Sequence, residues 1–263
     1  MADELKIVTD VPRKVHEIEH LWVPMPDGTR LSARIWMPED AEDDPVPVIL
    51  EYIPYRKRDG TRMRDDSMHG WWAGHGYACI RLDIRGTGES EGQITDEYPR
   101  QELQDGFDAI AWFAEQSWCS GTVGMTGISW GGFNGLQVGA LRPPALKAII
   151  THCSTDDRYA DDVHFMGGAI PLDNWFWGGG FFQFMARPGD PEIQGDGWRK
   201  QWMERMEGWE PVASTIWLQH QRRDDYWRHG SVCENYDDID CAVFAVGGWE
   251  DGYSNAVPRL LKH

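Results

Sequence analysis

Five short, nearly continuous apolar runs restrict this chain more than any other feature. They are Val46 to Tyr52, Tyr77 to Asp83, Val123 to Gly127, Leu146 to His152 and Ala242 to Gly247, all rich in Val and Ile. A strand with one wet face alternates apolar and polar residues, whereas a continuous run belongs to a strand covered on both faces. Between several of the runs lie stretches of helical period: Asp65 to Gly74, Glu97 to Glu115 and Gly131 to Leu141. In the second, Leu103, Phe107, Ile110 and Ala111 fall on one face. Strand then helix, repeated, demands right-handed crossovers and a mostly parallel sheet with helices on both faces. Ahead of the series, apolar-rich runs within Ile18 to Met37 flank Pro26-Asp27-Gly28-Thr29, a turn tetrad whose glycine accepts positive φ. An antiparallel hairpin is expected there.

The alternation stops between Thr155 and Asp240. A structureless loop of that length is anomalous inside a compact domain, so the segment reads as a helical insert folded over the sheet. Of the 15 tryptophans, Trp175, Trp177, Trp198, Trp202, Trp209, Trp217 and Trp227 fall in it. Large aromatics pack an insert's own core or line an apolar pocket, and some of these are expected to face a pocket. The resulting division is a core, first part, over 1–154, a Trp-rich helical cap over 155–240, and a continuation of the core over 241–263.

A chain of 263 residues with 41% hydrophobic residues can bury a sizeable core. Its net charge of −18 repels phosphate backbones and anionic membrane surfaces, which argues against nucleic-acid and membrane partners. The opening Met1-Ala2-Asp3-Glu4 lacks a signal-peptide pattern and no apolar run is long enough to span a bilayer, so a cytoplasmic location is expected. Five scattered cysteines without CxxC spacing argue against a disulfide framework and against a zinc site; no metal or cofactor is expected.

The strongest chemical signal is Gly127-Ile128-Ser129-Trp130-Gly131-Gly132. It follows a buried-strand pattern and opens a helix, the context in which a G-x-S-x-G sequence forms a tight strand-to-helix turn. That turn lifts the serine hydroxyl above the sheet at a helix N-terminus, where backbone N–H groups favour developing negative charge. Serine needs a base to take its proton and a carboxylate to orient that base. Asp251, in Gly247-Gly248-Trp249-Glu250-Asp251-Gly252 just beyond the last strand run, is the expected acid, with Gly252 easing the turn. Asp83 to Gly92 is glycine-rich but lacks the Walker lysine and the G-x-G-x-x-G spacing, so Asp83 and Arg85 are assigned to buttressing loops near the site.

Together with Tyr52-Ile53-Pro54-Tyr55 and Pro26 to Leu31, these motifs resemble the cocaine-esterase-like and X-Pro dipeptidyl-peptidase-like serine hydrolases, from about Val15 to the end. The resemblance implies an α/β-hydrolase core with a helical cap, a Ser-His-Asp triad and a C-terminal jelly-roll domain. It also implies an oxyanion hole formed by the phenol at Tyr55 and the backbone N–H at Trp130. Both are sound donors, since a neutral phenol and an amide beside the nucleophile can reach the tetrahedral oxygen. The substrates implied are small esters or short peptides, with esters preferred because Gly252, Tyr253 and Ser254 stand where amino-acid ester hydrolases carry carboxylates after the acid. Asp156, Asp157, Asp161 and Asp162 leave an amine-bearing substrate open.

The triad histidine is the departure. His263, at the end of a helix-like segment, and His152, which breaks the chain order, are poor bases, so no triad histidine is assigned within the chain. His16, His20, His69, His75, His164, His220 and His229 are read as surface or cap residues. Two expectations follow: a fragment lacking the last catalytic residue and the jelly-roll domain, or a naturally short relative. A non-catalytic binding module is the alternative function.

Overall fold

The computed structural model describes residues 10–208 and 213–263, so Trp209 lies outside the described residues. Its centre is a seven-stranded sheet of β1 (Val15–Pro24), β2 (Arg30–Pro38), β3 (Val46–Ile53), β4 (Ala78–Asp83), β5 (Cys119–Ile128), β6 (Leu146–His152) and β7 (Ala242–Val246), in the order β1-β2-β4-β3-β5-β6-β7. The β1–β2 hairpin is antiparallel and joins β4 antiparallel; every other pairing is parallel. At the hairpin tip, Gly28 takes φ 88° and donates its N–H to the Met25 carbonyl at 2.9 Å.

The helices α1 (Arg62–Ala73), α2 (Arg100–Ala114) and α3 (Trp130–Gly139) divide between the two faces. Adjacent residues of β3 show the division: Glu51 reaches His69 of α1 at 3.2 Å, while the Tyr52 hydroxyl donates to the Glu102 carbonyl of α2 at 3.2 Å. Successive strand residues point to opposite faces, so α1 covers one and α2 and α3 the other. All ten residues of α3 are buried. The buried face of α2 is carried by Leu103, Gly106, Ala109, Ile110 and Phe113; Ala111 faces solvent, one step off the expected stripe.

Two-sided cover fails at the β7 edge. Val243, Phe244 and Val246 are 40%, 66% and 37% exposed, although their composition matches the inner strands. Beside α1 an apolar recess of about 510 Å³ opens over β5 and β6, lined by Val48, Trp72, Val123, Met125 and Ile150. Between β6 and β7 the described residues form only short helices, turns and isolated bridges, the longest helix being Gly197–Glu207. Trp217 and Trp227 there are fully buried, whereas Trp175 is 68% exposed.

Candidate active site

Ser129 sits between β5 and α3 with φ 53° and ψ −119°, a conformation a non-glycine residue holds only where its surroundings impose it. Neighbouring glycines impose it here. A Cβ on Gly127 would lie 2.5 to 2.7 Å from the Gly131 backbone, and one on Gly131 would lie 2.5 Å from Ile53 Cγ2. The strand and the first helical turn therefore approach more closely than any side chain permits. The Ser129 N–H donates to the His152 carbonyl at 2.9 Å, tying the turn to the end of β6.

Strain is concentrated around this point. Five non-glycine residues among those described have positive φ, and Arg56, Tyr98, Ser129 and Cys153 are four of them. Arg56 follows Tyr55, Tyr98 lines the cavity above Ser129, and Cys153 lies under the acid loop.

Tyr55 leaves β3 through Pro54 and is wedged against Phe181 and Trp177, with ring centroids 5.6 and 6.4 Å away. Its hydroxyl oxygen accepts the Trp130 N–H at 3.4 Å. Burial pushes the phenol up to about 12, so it stays a neutral donor throughout the physiological range. The Trp130 indole plays no part at the surface of the site: it is buried and donates to Glu102 Oε1 at 2.7 Å. Glu102 also accepts from Asn134 at 3.2 Å and from the Tyr98 N–H at 3.1 Å. One carboxyl group thus joins α2, the nucleophile helix and the wall of the cavity, and burial raises it to about 8.

Asp251 follows β7 in a loop closed by its own N–H to the Gly248 carbonyl and by the Ser254 N–H to its carbonyl. Gly252 adopts no positive φ, so the turn does not use the glycine freedom expected of it. The Cys153 N–H donates to the Val246 carbonyl at 2.9 Å, and burial together with the neighbouring Asp251 raises the Cys153 thiol. The ends of β5, β6 and β7 therefore carry Ser129, Cys153 and Asp251 side by side. Asp251 Oδ2 is buried and has no hydrogen-bond partner.

Among the described residues neither the His152 ring nor the His263 ring is hydrogen-bonded to Ser129 or Asp251. The His152 ring feels Glu51 and Arg64, groups of the α1 face, and burial depresses its affinity for protons. His263 stacks on Tyr236 with centroids 4.9 Å apart. His69 is not a surface residue: it is fully buried under α1 against Glu51, because that face carries its own charged network.

Sequence reasoning missed the wall facing Ser129. A cavity of about 30 Å³ is bounded by Ser129, Glu97, Tyr98, Phe133, Asp162 and Trp177, with Tyr253 beside them. Glu97 Oε1 accepts from the Trp177 indole at 2.6 Å and its Oε2 meets His164 Nε2 at 2.6 Å. Burial is the main cause in all three groups, raising Glu97 and Asp162 to about 7 and lowering His164 to about 4. Of the four aspartates at the start of the insert only Asp162 reaches this cavity. Asp156 and Asp161 pair with Arg259, and Asp157 pairs with Arg223 at 2.6 Å. The available signal was position: Glu97 ends the loop that leaves the carboxyl edge of β4, where ligand groups gather in open sheets. Asp83 and Arg85 lie behind the site as expected. Asp83 accepts the Lys57 N–H at 3.0 Å, and Arg85 makes two 2.7 Å bonds to Asp105.

The strand order, the strained serine at a strand-to-helix turn and the carboxylate beyond the last parallel strand define an α/β-hydrolase fold. Residues 27–263 match the family model of the X-Pro dipeptidyl-peptidase (S15 family), and the chain belongs to that family. It is 34% identical over 156 residues to the cocaine esterase of Rhodococcus sp. (strain MB1 Bresler), a match covering 59% of this chain and 26% of that protein. A putative Xaa-Pro dipeptidyl-peptidase of Bacillus cereus is 24% identical over 287 aligned positions, 88% of this chain and 46% of the relative. The chain thus spans less than half the length of these curated relatives. Among solved structures, a CocE/NonD family hydrolase from Staphylococcus aureus superimposes with a TM-score of 0.67 at 19% identity, covering 99% of this chain and 54% of the other. An alpha-amino acid ester hydrolase gives 0.62 at 20% identity, covering 100% and 48%. Among the described residues no helix is long and apolar enough to cross a membrane.

Proposed function

We propose that the protein hydrolyses carboxylic ester or amide bonds through an acyl-enzyme on Ser129, with Tyr55 and the Trp130 N–H receiving the oxyanion and Asp251 orienting the base. The observation that carries this reading is the strained Ser129 at the strand-to-helix turn, beside a Tyr55 phenol whose oxygen accepts the Trp130 N–H at 3.4 Å. An oxygen entering between these two donors accepts from both as negative charge develops, without reorganising the site. The reading needs an imidazole between Ser129 and Asp251; the buried Asp251 Oδ2, unpartnered among the described residues, is the acceptor that its second N–H requires. A fluorophosphonate probe tests the assignment. Ser129 is labelled and Ser129→Ala is not, and labelling of the 263-residue chain accelerates when free imidazole is added. Equal labelling of the Ser129→Ala protein would refute the reading.

The acyl side has a sharper chemistry. Glu97 and Asp162 are two carboxyl groups near neutrality, beside Ser129 and enclosed by aromatic rings, so an acyl group carrying a protonated amine is favoured. The similar fold of an alpha-amino acid ester hydrolase is consistent with that preference. Hydrogen bonds to a charged group are worth about 1.5–3 kcal/mol, so phenylglycine methyl ester should be preferred over phenylacetic methyl ester by about ten-fold or more, and Asp162→Asn should remove the preference. Equal rates on the two esters would show that the carboxylates do not read the amine.

A further inference from the structure

The chain contains two buried Glu–Asp–His clusters, and they differ in what holds them. In Glu51–Asp65–His69 arginines already supply the positive charge: Arg64 lies 2.6 Å from Glu51 and 2.8 Å from Asp65, and Arg81 3.3 Å from Asp65. In Glu97–Asp162–His164 no arginine or lysine side chain is paired with either carboxylate among the described residues. Arg158, the nearest cation, spends its guanidinium on the backbone carbonyls of Glu97, Tyr226 and His229.

The outer atoms of this second cluster are anchored and the inner ones converge. Glu97 Oε1 is held by the Trp177 indole, and Asp162 Oδ1 by the Val163 N–H at 2.7 Å and the Tyr253 hydroxyl at 3.2 Å. That leaves Glu97 Oε2, Asp162 Oδ2 and His164 Nε2 within 4.8 Å of one another. Asp162 is 2% exposed, and its Oδ2, 3.6 Å from His164 Nε2, has no hydrogen-bond partner. Two carboxylate oxygens fixed from behind by hydrogen bonds, and one imidazole nitrogen whose ring is held by packing against Trp217 and Trp227, form the ligand set of a zinc-type site with a free fourth position. The open side is the cavity that also contains Ser129, which gives an ion its way in.

We propose that Glu97, Asp162 and His164 bind a divalent transition-metal ion, zinc in the first instance, at the wall of the Ser129 cavity. Two carboxylates neutralise the dication, and imidazole with oxygen donors suits zinc, nickel or cobalt better than magnesium or calcium. Binding requires nothing of Ser129. Its consequence, inhibition competitive with amine-bearing acyl groups, rests on the proposed hydrolase reading.

Zinc chloride titrated calorimetrically into metal-free, tag-free protein tests binding directly. One ion per chain with a micromolar or tighter dissociation constant is expected, accompanied by a change in tryptophan emission, because His164 packs edge-on against Trp217 and at a tilt against Trp227, with centroids 4.2 and 4.8 Å away. His164→Gln and Asp162→Asn should each weaken binding by about a hundred-fold or more, while His16→Gln, at an exposed position, should leave it unchanged. Cobalt(II) gives a second readout: visible absorption of a four-coordinate ion in the wild type and its loss in Asp162→Asn, a nearly isosteric change chosen to keep the fold. Absence of zinc binding by the folded wild type at about 1 mM, or stoichiometric binding retained by folded Asp162→Asn, overturns the proposal. Neither result bears on fluorophosphonate labelling of Ser129, so the two readings fail separately.

Discussion

The nucleophile end of the sheet and the β6–β7 edge are built from similar apolar sequences and end up in opposite conditions. At the nucleophile end β3, β5 and α3 are packed so closely that Gly127 and Gly131 leave no room for a methyl group, and every residue of α3 is buried. At the other edge, β7 exposes Val243, Phe244 and Val246, and Trp249 in the acid loop is 94% exposed. The difference separates two jobs. Ser129 is held in a strained conformation, which only an over-determined surrounding can maintain. Asp251 sits in a loop that supplies one hydrogen-bond acceptor and stores no comparable strain. Changes at the first end should therefore be severe and changes at the second mild.

The sharpest way to break the comparison is Gly127→Ala. Its methyl would meet backbone atoms of Gly131, which have no flexible end to swing aside. A loss of about 4 kcal/mol or more is expected in the urea midpoint, because relief requires α3 to move off the sheet. A shift under about 1 kcal/mol would show the elbow to be loosely packed. Next comes Tyr55→Phe in a version extended through a further histidine, which removes the proposed phenol donor to the oxyanion and keeps the ring. Turnover should fall by about 10² to 10³ with KM little changed, since the lost bond is strongest in the transition state. A raised KM with turnover intact would make Tyr55 a substrate-binding group.

Glu102→Gln sharpens the nucleophile end without touching the reacting atoms. Burial raises this carboxyl from an ordinary 4.5 to about 8. Between those values the folded protein holds a proton that the unfolded chain has released, so its contribution is fully present below pH 4.5 and is lost as pH rises through 8. Glu97 and Asp162 act in the same direction; His164, depressed to about 4, acts oppositely and loses its contribution as pH falls from 6.5 through 4. Glu102→Gln keeps acceptors for Trp130 and Asn134, and should flatten the decline of stability across pH 5–8 by about 1 kcal/mol per unit. Parallel curves for the two proteins would mean that Glu102 is ionised in the fold.

What could be read in the sequence follows the same division. Seven strands, three main helices and the serine turn were legible because each rests on local pattern: apolar period, turn glycines and the tight G-x-S-x-G reversal. Tyr55, Trp130 and Ser129 come together because β3 and β5 are neighbours in the sheet. Of Glu97, Asp162 and His164 only Asp162 was singled out, as one of four aspartates; the set was not legible, since Glu97 meets the other two from 65 and 67 residues away. No helical or strand period connects a loop after β4 to the first turns of the insert. The exposed face of β7 was misread for the opposite reason: composition marks a strand for burial but does not say whether the covering element is present.

Phe244→Ser on β7 carries the smallest expected effect and divides the comparison most finely. Phe244 is 66% exposed on an edge strand that pairs only with β6. In this chain its ring has lost little contact with water, so its removal should change stability by no more than about 0.5 kcal/mol. The full-length relatives are more than twice as long as the segment matched here. If a version extended to the relatives' length covers β7, the same ring is buried there, and deleting a buried Phe side chain costs about 3–5 kcal/mol in measured cores. The paired measurement is therefore one substitution in two lengths of the protein, followed by urea unfolding. A small loss in the short chain and a loss of several kcal/mol in the long one would show that the β7 edge is an interior surface awaiting its cover. Equal small losses in both would make it a true edge, and the imidazole facing Asp251 would then have to arrive by another route.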